Sequence, residues 1–244
     1  MQTLRMKNKT NHDFNLIIAG DSRGSERPLS SLANDSYTDI PGRHGSILRS
    51  GSLQMNVITI HFVRFNDSEQ DWLRARQNIA AWLYSKEEVK IYVDDEKDIY
   101  YKGKVSNHEM PEYYGRNVRF SIELTVQPFR YKEMKKTSDY VYPNREITVT
   151  NTGNFETGYK LTFDVDDYDH YFEVSINGKS LRYDGDISLN DKITVDIDTL
   201  ELRHNGRLKV TELSGRFPIL STGDNQVSFS TYGTAKFDIQ ELII

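Results

Sequence analysis

The alternation of apolar and polar residues predicts that most of this chain forms β-strands. The clearest segment is "RNVRFSIELTVQPF", in which apolar side chains at every second position share one face: Val118, Phe120, Ile122, Leu124 and Val126. A period of two is typical of a strand with one buried face. Near the N-terminus, "QTLRMKN" and "FNLIIAG" read as two strands that we expect to pair with each other.

The segment "SLQMNVITIHFVRF" carries apolar residues on both faces. Leu53, Met55 and Val57 alternate on one face, and the parity changes at the next residue. Three arrangements fit this pattern: a central strand, a strand buried at a subunit interface, or a bulge near Val57–Ile58. Further along, "VKIYVDD" and "DIYYKGKVSNHEM" predict a hairpin that turns across 94–98.

One helix is predicted, over about 67–86, within "DSEQDWLRARQNIAAWLYSK". Asp67 or Ser68 can cap its N-terminus, and acidic residues fill its first turn. Apolar side chains recur at helical spacing and form one stripe: Trp72, Leu73, Ile79, Trp82 and Leu83. We expect this stripe to lie in the core.

The segment 20–50 is rich in Gly, Ser, Pro, Arg and Asp, which indicates turns or an extended loop. Within it, "IPGRHGS" predicts a tight turn, because Pro41 fixes φ while Gly42 and Gly45 permit positive φ. The segment is too long and polar for an ordinary hairpin loop, and long loops of this kind are usually functional or interfacial.

The second half reads as strands joined by short turns, with Asn-Gly hairpin signals in "INGK" and "HNGR". This pattern predicts a β-sandwich over 145–244. The polar stretch "RYKEMKKTSDYVYPN" precedes it and ends in Pro143, so we expect an inter-domain linker at 134–144. The preceding domain then covers 1–133.

Composition narrows the class of protein. The chain has 244 residues, a net charge of −5 and no cysteine, so a disulfide scaffold and a Cys-ligated metal site are excluded. Acidic and basic residues are mixed, without the basic block typical of nucleic-acid binding. We find no signal peptide and no run of membrane-spanning length, and we expect a soluble protein without a membrane anchor, made in the cytoplasm.

One motif suggests catalysis. Gly20-Asp21-Ser22-Arg23-Gly24 fits the G-x-S-x-G pattern of a nucleophile elbow, and Asp167 and His170 supply the D-x-x-H spacing of GDS-type serine hydrolases. An elbow serine needs a helix directly after it, and Pro28 with the surrounding Ser, Asp and Asn opposes one. We therefore expect turn residues at 20–24 and no esterase activity.

The candidate metal-binding motifs are also incomplete. "DVDDYDH" at 164–170 is acidic but lacks the Gly and Glu of an EF-hand loop, and "HEMPE" lacks the second His of H-E-x-x-H. We expect no metal and no cofactor. Exposed tyrosines could stack on sugars, although Tyr is also common in strands and at protein interfaces: Tyr113, Tyr114, Tyr168 and Tyr171.

Several stretches occur in a recognisable order. The first half contains "IPGRHGS", the helix "ARQNIAAWL", the "YVDDEKDIYYKGKV" hairpin and "FSIELTVQPFRY". The second half contains "ITVTNTGNFETGYKLTF", "VSINGKSL", "ITVDIDT" and "LSGRFPILSTGDNQVSF". Over nearly the whole chain, they resemble the distal tail protein (Dit) family of long-tailed bacteriophages of Gram-positive hosts. His44 departs from the acidic residue that often follows "PGR", and a Pro often found after the "NTG" loop is replaced near Gly158.

The resemblance implies a structural protein of the virion, at the distal end of the phage tail, and not an enzyme. It implies a tail-tube-like N-terminal β-sandwich or split barrel with one helix, followed by a galectin-like β-sandwich. Six N-terminal domains would form a ring, each embracing its neighbour with a long hairpin, or belt, at about 20–55. The suspected inter-subunit turn of the belt comprises Pro41, Gly42, Arg43, His44 and Gly45.

The implied partners are other copies of the chain, the tail tube protein, the tail-associated hub protein and, in many phages, receptor-binding proteins. The genome would pass through the ring, and we expect no tight DNA binding, because the basic residues of the N-terminal half are scattered among acidic ones. Two other classes remain as alternatives: a carbohydrate-binding β-sandwich directed at the cell wall, and the serine esterase.

Overall fold

The computed structural model describes residues 2–19, 25–42, 44–93 and 98–244. The protein is mainly β, as predicted, and the described residues contain a single α-helix. The chain divides into two compact units, Met1–Tyr131 with Ile244, and Lys132–Ile243.

The N-terminal unit contains one large antiparallel sheet and one separate hairpin. Its elements, in chain order, are β1 (Leu4–Met6), β2 (Lys9–Thr10), a 3-10 turn (Asn11–Phe14), β3 (Leu16–Ile18), β4 (Ser25–Glu26), β5 (Ala33–Asp39), β6 (Ser46–Leu53), β7 (Asn56–Arg64), α1 (Glu69–Leu83), β8 (Val89–Val93), β9 (Ile99–His108), β10 (Glu112–Tyr114) and β11 (Asn117–Lys132). The large sheet has the order β2-β1-β8-β9-β11-β7-β3, with β4 beside β7 and β10 beside β11. Strands β5 and β6 pair only with each other among the described strands.

The buried face of the large sheet at β11 is the one that the alternation of apolar residues predicts. Its five predicted core residues are all buried, and β7 lies antiparallel beside them with Val118 opposite Arg64 and Val126 opposite Asn56. In β7, Ile58 and Ile60 are buried while Val57 is half exposed. Strand β7 has β11 on one side and β3 and β4 on the other, so it is an interior strand of the sheet. The parity changes because one strand ends at Leu53 and the next begins at Asn56, and the pairing with β11 runs without a bulge.

The predicted pairing of the two N-terminal strands is wrong. Strand β1 pairs with β2 and β8, whereas β3 pairs with β7. The 3-10 turn between them carries Asn11, whose buried side chain accepts a hydrogen bond from the Leu4 N–H at 2.9 Å and donates one to the Leu16 carbonyl at 2.8 Å. A side-chain amide thus links β1 to β3 where no backbone ladder joins them.

Helix α1 packs one face on the large sheet. It begins after Ser68, whose hydroxyl accepts a hydrogen bond from the Asp71 N–H, and it is shorter than the predicted span 67–86. Trp72, Ile79 and Trp82 are buried, and Leu83 is half-buried against the same core. Leu73 was wrongly assigned to the stripe: it is 53% exposed, because the residue after Trp72 is rotated about 100° around the helix axis.

The C-terminal unit is a sandwich of two antiparallel sheets. Its strands are β12 (Lys135–Val141), β13 (Ile147–Asn151), β14 (Tyr159–Val165), β15 (Phe172–Ile176), β16 (Lys179–Tyr183), β17 (Lys192–Asp196), β18 (Glu201–His204), β19 (Arg207–Lys209), β20 (Leu213–Gly215), β21 (Gly223–Phe229), β22 (Gly233–Ile239) and β23 (Leu242–Ile243). One sheet has the order β12-β22-β14-β17-β18-β19 and the other β13-β21-β15-β16-β20. Their facing side chains form one core that includes Phe163, Phe172, Phe229 and Phe237.

The segment predicted as the linker 134–144 is mostly a strand. Residues 135–141 form β12, which pairs with β22 from Lys135 opposite Ile239 to Val141 opposite Gly233. The segment looks like a linker in sequence because an edge strand with one solvated face can be polar almost throughout. The N-terminal unit therefore ends near Tyr131.

Candidate functional site: the β5–β6 hairpin

The belt region predicted at about 20–55 contains the separate hairpin β5–β6. Its ladder runs from Ala33 opposite Leu53 to Asp39 opposite Ser46, and the Ser46 hydroxyl contacts the Asp39 carboxylate at 2.5 Å. At the open end, the Gln54 N–H donates to the Leu32 carbonyl at 2.8 Å. The chain thus leaves the large sheet as a paired arm and returns to it at β7.

The turn of the hairpin lies within 40–45. Gly42 and Gly45 both have φ +82°, and open space surrounds the position that a Cβ would take at each. Their requirement for glycine is therefore one of backbone conformation and not of crowding. Pro41 and His44 are exposed, while Arg43 lies outside the described residues. A role for this turn in subunit contact stays a prediction.

A bulge that the sequence reading missed interrupts the hairpin. The register shifts between Asn34 and Ser36, and β6 carries the additional residue, since residues 50 and 51 lie opposite Asp35 alone. Gly51 is part of this bulge, and a Cβ at Gly51 would come within 1.8 Å of the Asn34 carbonyl oxygen. The signal was present, because an isolated glycine within a strand pattern suggests a bulge or a close approach of backbone.

The hairpin is fixed at its base and exposed elsewhere. Ser31, which precedes β5, is buried; its hydroxyl donates to the Pro128 carbonyl and accepts from the Asn56 amide at 2.6 Å. Beyond this anchor, no described side chain of β5 or β6 is buried. Large apolar side chains of the hairpin and its base are exposed to solvent: Leu29, Leu32, Tyr37, Ile40, Ile47 and Leu48.

This arrangement is poorly suited to an isolated molecule. A single two-stranded hairpin is at best marginally stable in water. Tyr37 and Leu48 lie opposite each other in the ladder, and neighbouring exposed apolar side chains often mark an interaction surface. Both properties indicate that the hairpin contacts another surface when the protein functions.

The residues considered for ester hydrolysis do not form a catalytic set in the described part of the chain. The predicted turn 20–24, with Ser22, lies outside the described residues. His170 contacts Asp186 at 2.8 Å, both exposed, whereas the Asp167 carboxylate accepts a hydrogen bond from the Tyr168 N–H. The D-x-x-H spacing therefore does not provide His170 with its carboxylate partner.

The described residues contain no group of three or more His, Asp or Glu side chains arranged to hold a metal ion. No helix in the same part of the chain is both long enough and apolar enough to span a membrane.

A group of exposed tyrosines in the C-terminal unit was also missed. The rings of Tyr140 and Tyr142 lie 5.4 Å apart and those of Tyr142 and Tyr232 lie 6.0 Å apart, each pair edge to face. Burial, followed by the charge and hydrogen bond of Asp166, raises the pKa of Tyr140. Sequence spacing could not reveal the group of Tyr140, Tyr142 and Tyr232, because Tyr232 comes from a distant strand connection.

One of the tyrosines considered for sugar stacking, Tyr113 of the N-terminal unit, accepts a hydrogen bond from the Trp72 indole at 3.1 Å.

Comparison with known proteins gives matches in both halves. The family model described as phage tail protein RIFT-related domain matches residues 14–126, and that described as Siphovirus-type tail component, C-terminal domain, matches 152–240. No curated protein matches the chain.

Among solved structures, the Dit protein of phage SPP1 superposes with a TM-score of 0.80 at 16% identity, covering 100% of both chains. That protein is described as a paradigm of hub adsorption apparatus in phages that infect Gram-positive hosts. A chain of the phage P2 baseplate, in its activated conformation with Ca, gives a TM-score of 0.46 at 11% identity and covers 99% of this chain and 98% of its own.

The two matched domains, in this order and on this fold, define a structural component of a phage tail. The chain belongs to the distal tail (Dit) protein family of siphophages, as the order of its sequence stretches implied. Its place is therefore the tail or baseplate of the virion.

Proposed function

We propose that the protein forms a homohexameric ring at the distal end of the tail, and that the β5–β6 hairpin of each copy embraces the next. The observation that carries this proposal is the hairpin itself, a two-stranded arm that exposes its apolar side chains and, among the described residues, is anchored only at its base. A protrusion that docks elsewhere on an identical copy makes a head-to-tail contact, and such contacts form a ring when the rotation from copy to copy closes.

In this function the ring joins the tail tube to the tail-associated hub protein, and receptor-binding proteins attach at its periphery. The role is that of an adaptor without an enzymatic step. The DNA passes through the channel without being held, since tight binding of phosphates by Lys and Arg would hinder its exit.

Electron micrographs and light scattering of the purified protein test the proposal. We expect rings with six-fold symmetry and a mass six times the 28.3 kDa of one chain. A monomer at every concentration, without rings in the micrographs, contradicts it.

The tyrosine group favours a second candidate function, saccharide binding by the C-terminal unit. Tyr140, Tyr142 and Tyr232 offer exposed ring surface beside the carboxylate of Asp166, which suits a ligand with both apolar faces and hydroxyl groups. Titration with purified cell-wall polysaccharide, followed by tyrosine fluorescence, distinguishes the two functions. Saturable binding that Tyr142→Ala abolishes while rings persist would add this role to the adaptor.

A further inference from the structure

A recess lies at one corner of the large sheet in the N-terminal unit, where the β1–β2 turn meets the start of β8. It encloses about 270 Å³, and its lining includes three basic residues, Arg5, Lys7 and Lys90. Among the described residues, no carboxylate lines it. The space therefore suits a small anionic group with a few waters, since one water occupies about 30 Å³.

Two of these cations are held by aromatic rings. Arg5 lies opposite Tyr92 in the pairing of β1 with β8, and its guanidinium carbon is 3.8 Å from the centre of the Tyr92 ring. The Lys90 ammonium is 4.3 Å from the centre of the Tyr100 ring. Residues 90 and 92 of one strand share a face, so both cations lie on the same side of the sheet. These cation–π contacts position the two charges before a ligand arrives, which reduces the ordering cost of binding.

Lys7 has a different part in the recess. Its ammonium donates hydrogen bonds to the Tyr84 carbonyl and, at 3.4 Å, to the Ala81 carbonyl, at the C-terminal end of α1. A cation in this position matches the negative end of the helix dipole. Lys7 therefore attaches the β1–β2 turn to the helix, and the charge offered to a ligand comes from Arg5 and Lys90.

The sheet concentrates positive charge at this corner against its own stability. Lys90 lies directly opposite Lys102, and like charges in opposite positions destabilise a sheet. Glu88, just before β8, does not line the recess, and its carboxylate accepts a hydrogen bond from the Gln127 amide at 2.7 Å. The acidic residues at 94–96 follow β8 and lie outside the described residues. A local arrangement that opposes stability is typical of a functional site, and a bound anion would relieve the repulsion.

We propose that the recess binds a phosphate group, held by the Arg5 guanidinium and the Lys90 ammonium. The fork of an arginine matches two phosphate oxygens, and a lysine adds a point charge. A phosphate monoester carries a charge of about −1.5 to −2 near pH 7, which balances two cations, whereas a carboxylate carries a single charge. Inorganic phosphate and the phosphate ester of a polyol or sugar share this chemistry.

Isothermal titration calorimetry at constant ionic strength tests the site, with inorganic phosphate, glycerol 3-phosphate and acetate as probes. We expect saturable binding of phosphate and none of acetate at the same concentrations. Tighter binding of glycerol 3-phosphate identifies an ester as the ligand, and tighter binding of inorganic phosphate identifies the free ion. Acetate binding as strong as phosphate binding, or phosphate binding that does not saturate, overturns the proposal.

Variants that remove one charge locate the site. Arg5→Gln and Lys90→Gln should each weaken phosphate binding about tenfold, because each loses one charge-assisted contact. Lys104→Gln is the matched control: Lys104 is exposed on β9, beside β8, and does not line the recess, so its loss should leave the affinity unchanged. Circular dichroism checks that each variant folds. Equal weakening in all three variants would reveal a general effect of net charge and would overturn the site.

Duplex DNA is not expected to use this recess. Two cations at one corner neutralise few phosphates, and the affinity for DNA depends on how many are neutralised. The inference agrees with free passage of DNA through a ring, but it does not depend on the ring, because the titration measures binding to each chain. Duplex DNA should fail to displace phosphate at physiological salt. Displacement would assign the recess to nucleic acid and overturn the proposal.

Discussion

Single side chains in this protein join segments that backbone ladders leave apart. Asn11 joins β1 to β3, because its side-chain oxygen accepts a hydrogen bond from the backbone of β1 and its side-chain nitrogen donates one to the backbone of β3. Arg64 does so between β7 and α1: it is buried, donates to the Phe14 carbonyl, and contacts the Asp71 carboxylate at 2.9 Å. The hydrogen bond from Arg64 lowers the pKa of Asp71, so the pair stays ionised.

We predict that Asn11→Ala lowers the free energy of unfolding by about 2–6 kcal/mol, because two buried backbone groups lose their partners at about 1–3 kcal/mol each. Urea denaturation measures the change. Asn78→Ala is the control, since Asn78 is exposed on α1 and alanine favours a helix. Equal stability of the two variants would show that Asn11 does not hold the two strands.

Trp82 gives a second prediction at this scale. Its ring stacks on Phe14 at 4.9 Å, its indole N–H donates to the Met6 carbonyl, and its side chain is buried. Trp82→Ala should therefore cost roughly 3–5 kcal/mol of unfolding free energy, as expected for removal of a core aromatic residue. Leu73→Ala, on the exposed side of α1, should cost less than about 0.5 kcal/mol in the same measurement. A loss below about 1 kcal/mol for Trp82→Ala would place the ring outside the core.

Glu241 makes the C-terminal unit sensitive to acid. Burial by itself raises the pKa of this carboxyl, but hydrogen bonds from Thr152 and the nearby Lys132 ammonium outweigh it, and the net pKa lies below the usual 4.5. A depressed folded-state pKa stabilises the fold above the unfolded pKa, and this stabilisation is lost as pH falls through the folded value.

We therefore predict that Glu241→Gln reduces stability at neutral pH, and that the difference from the unaltered protein shrinks below about pH 4.5. Thermal unfolding across pH 3–7 measures this. Glu146→Gln removes an exposed carboxylate and should leave the pH profile unchanged. A constant difference for Glu241→Gln at every pH would mean that its charge is irrelevant.

At the scale of elements, we expect the hairpin turn to be needed for assembly of the ring but not for folding of the monomer. Gly42 and Gly45 have positive φ without neighbours, so a side chain there meets only backbone strain of about 1–2 kcal/mol. We predict that Gly42→Val with Gly45→Val leaves circular dichroism and the melting of the monomer native-like but abolishes the ring, as measured by light scattering.

Gly115→Val is the matched control for the turn. Gly115 also has positive φ, +64°, with open space around it, but it lies in the turn between β10 and β11. Its substitution should preserve the ring. If the double variant in the hairpin also preserves it, the turn has no part in assembly.

At the scale of the whole molecule, the boundary between the units decides which fragment is stable. Strand β12 completes one sheet of the C-terminal sandwich, and Lys132 and Lys135 lie within 4 Å of the Glu241 carboxylate. A fragment that begins at Lys132 retains these contacts, whereas one that begins at Arg145 exposes the edge of β22.

We predict that the fragment 132–244 unfolds cooperatively on heating, and that 145–244 melts at a lower temperature or fails to fold. Differential scanning calorimetry of the two fragments checks this. Equal melting temperatures would show that β12 is an accessory to the sandwich and would restore the boundary expected from sequence.

The sequence by itself determined the local elements and the family. In β11 and α1 the apolar period is set by the geometry of one strand or one helix on one core, so Phe120 and Trp82 could be assigned to the interior without knowledge of any partner. The glycines of the 40–45 turn were visible for the same reason, since positive φ is a property of single residues.

Only the tertiary structure decided which strands pair and where the ladder between two strands is interrupted. The pairing of β1 with β8, the position of polar β12 at a sheet edge, and the bulge at Gly51 depend on contacts between residues of different strands. Local periodicity describes which way a side chain points, but it contains no information about the strand that lies next to it.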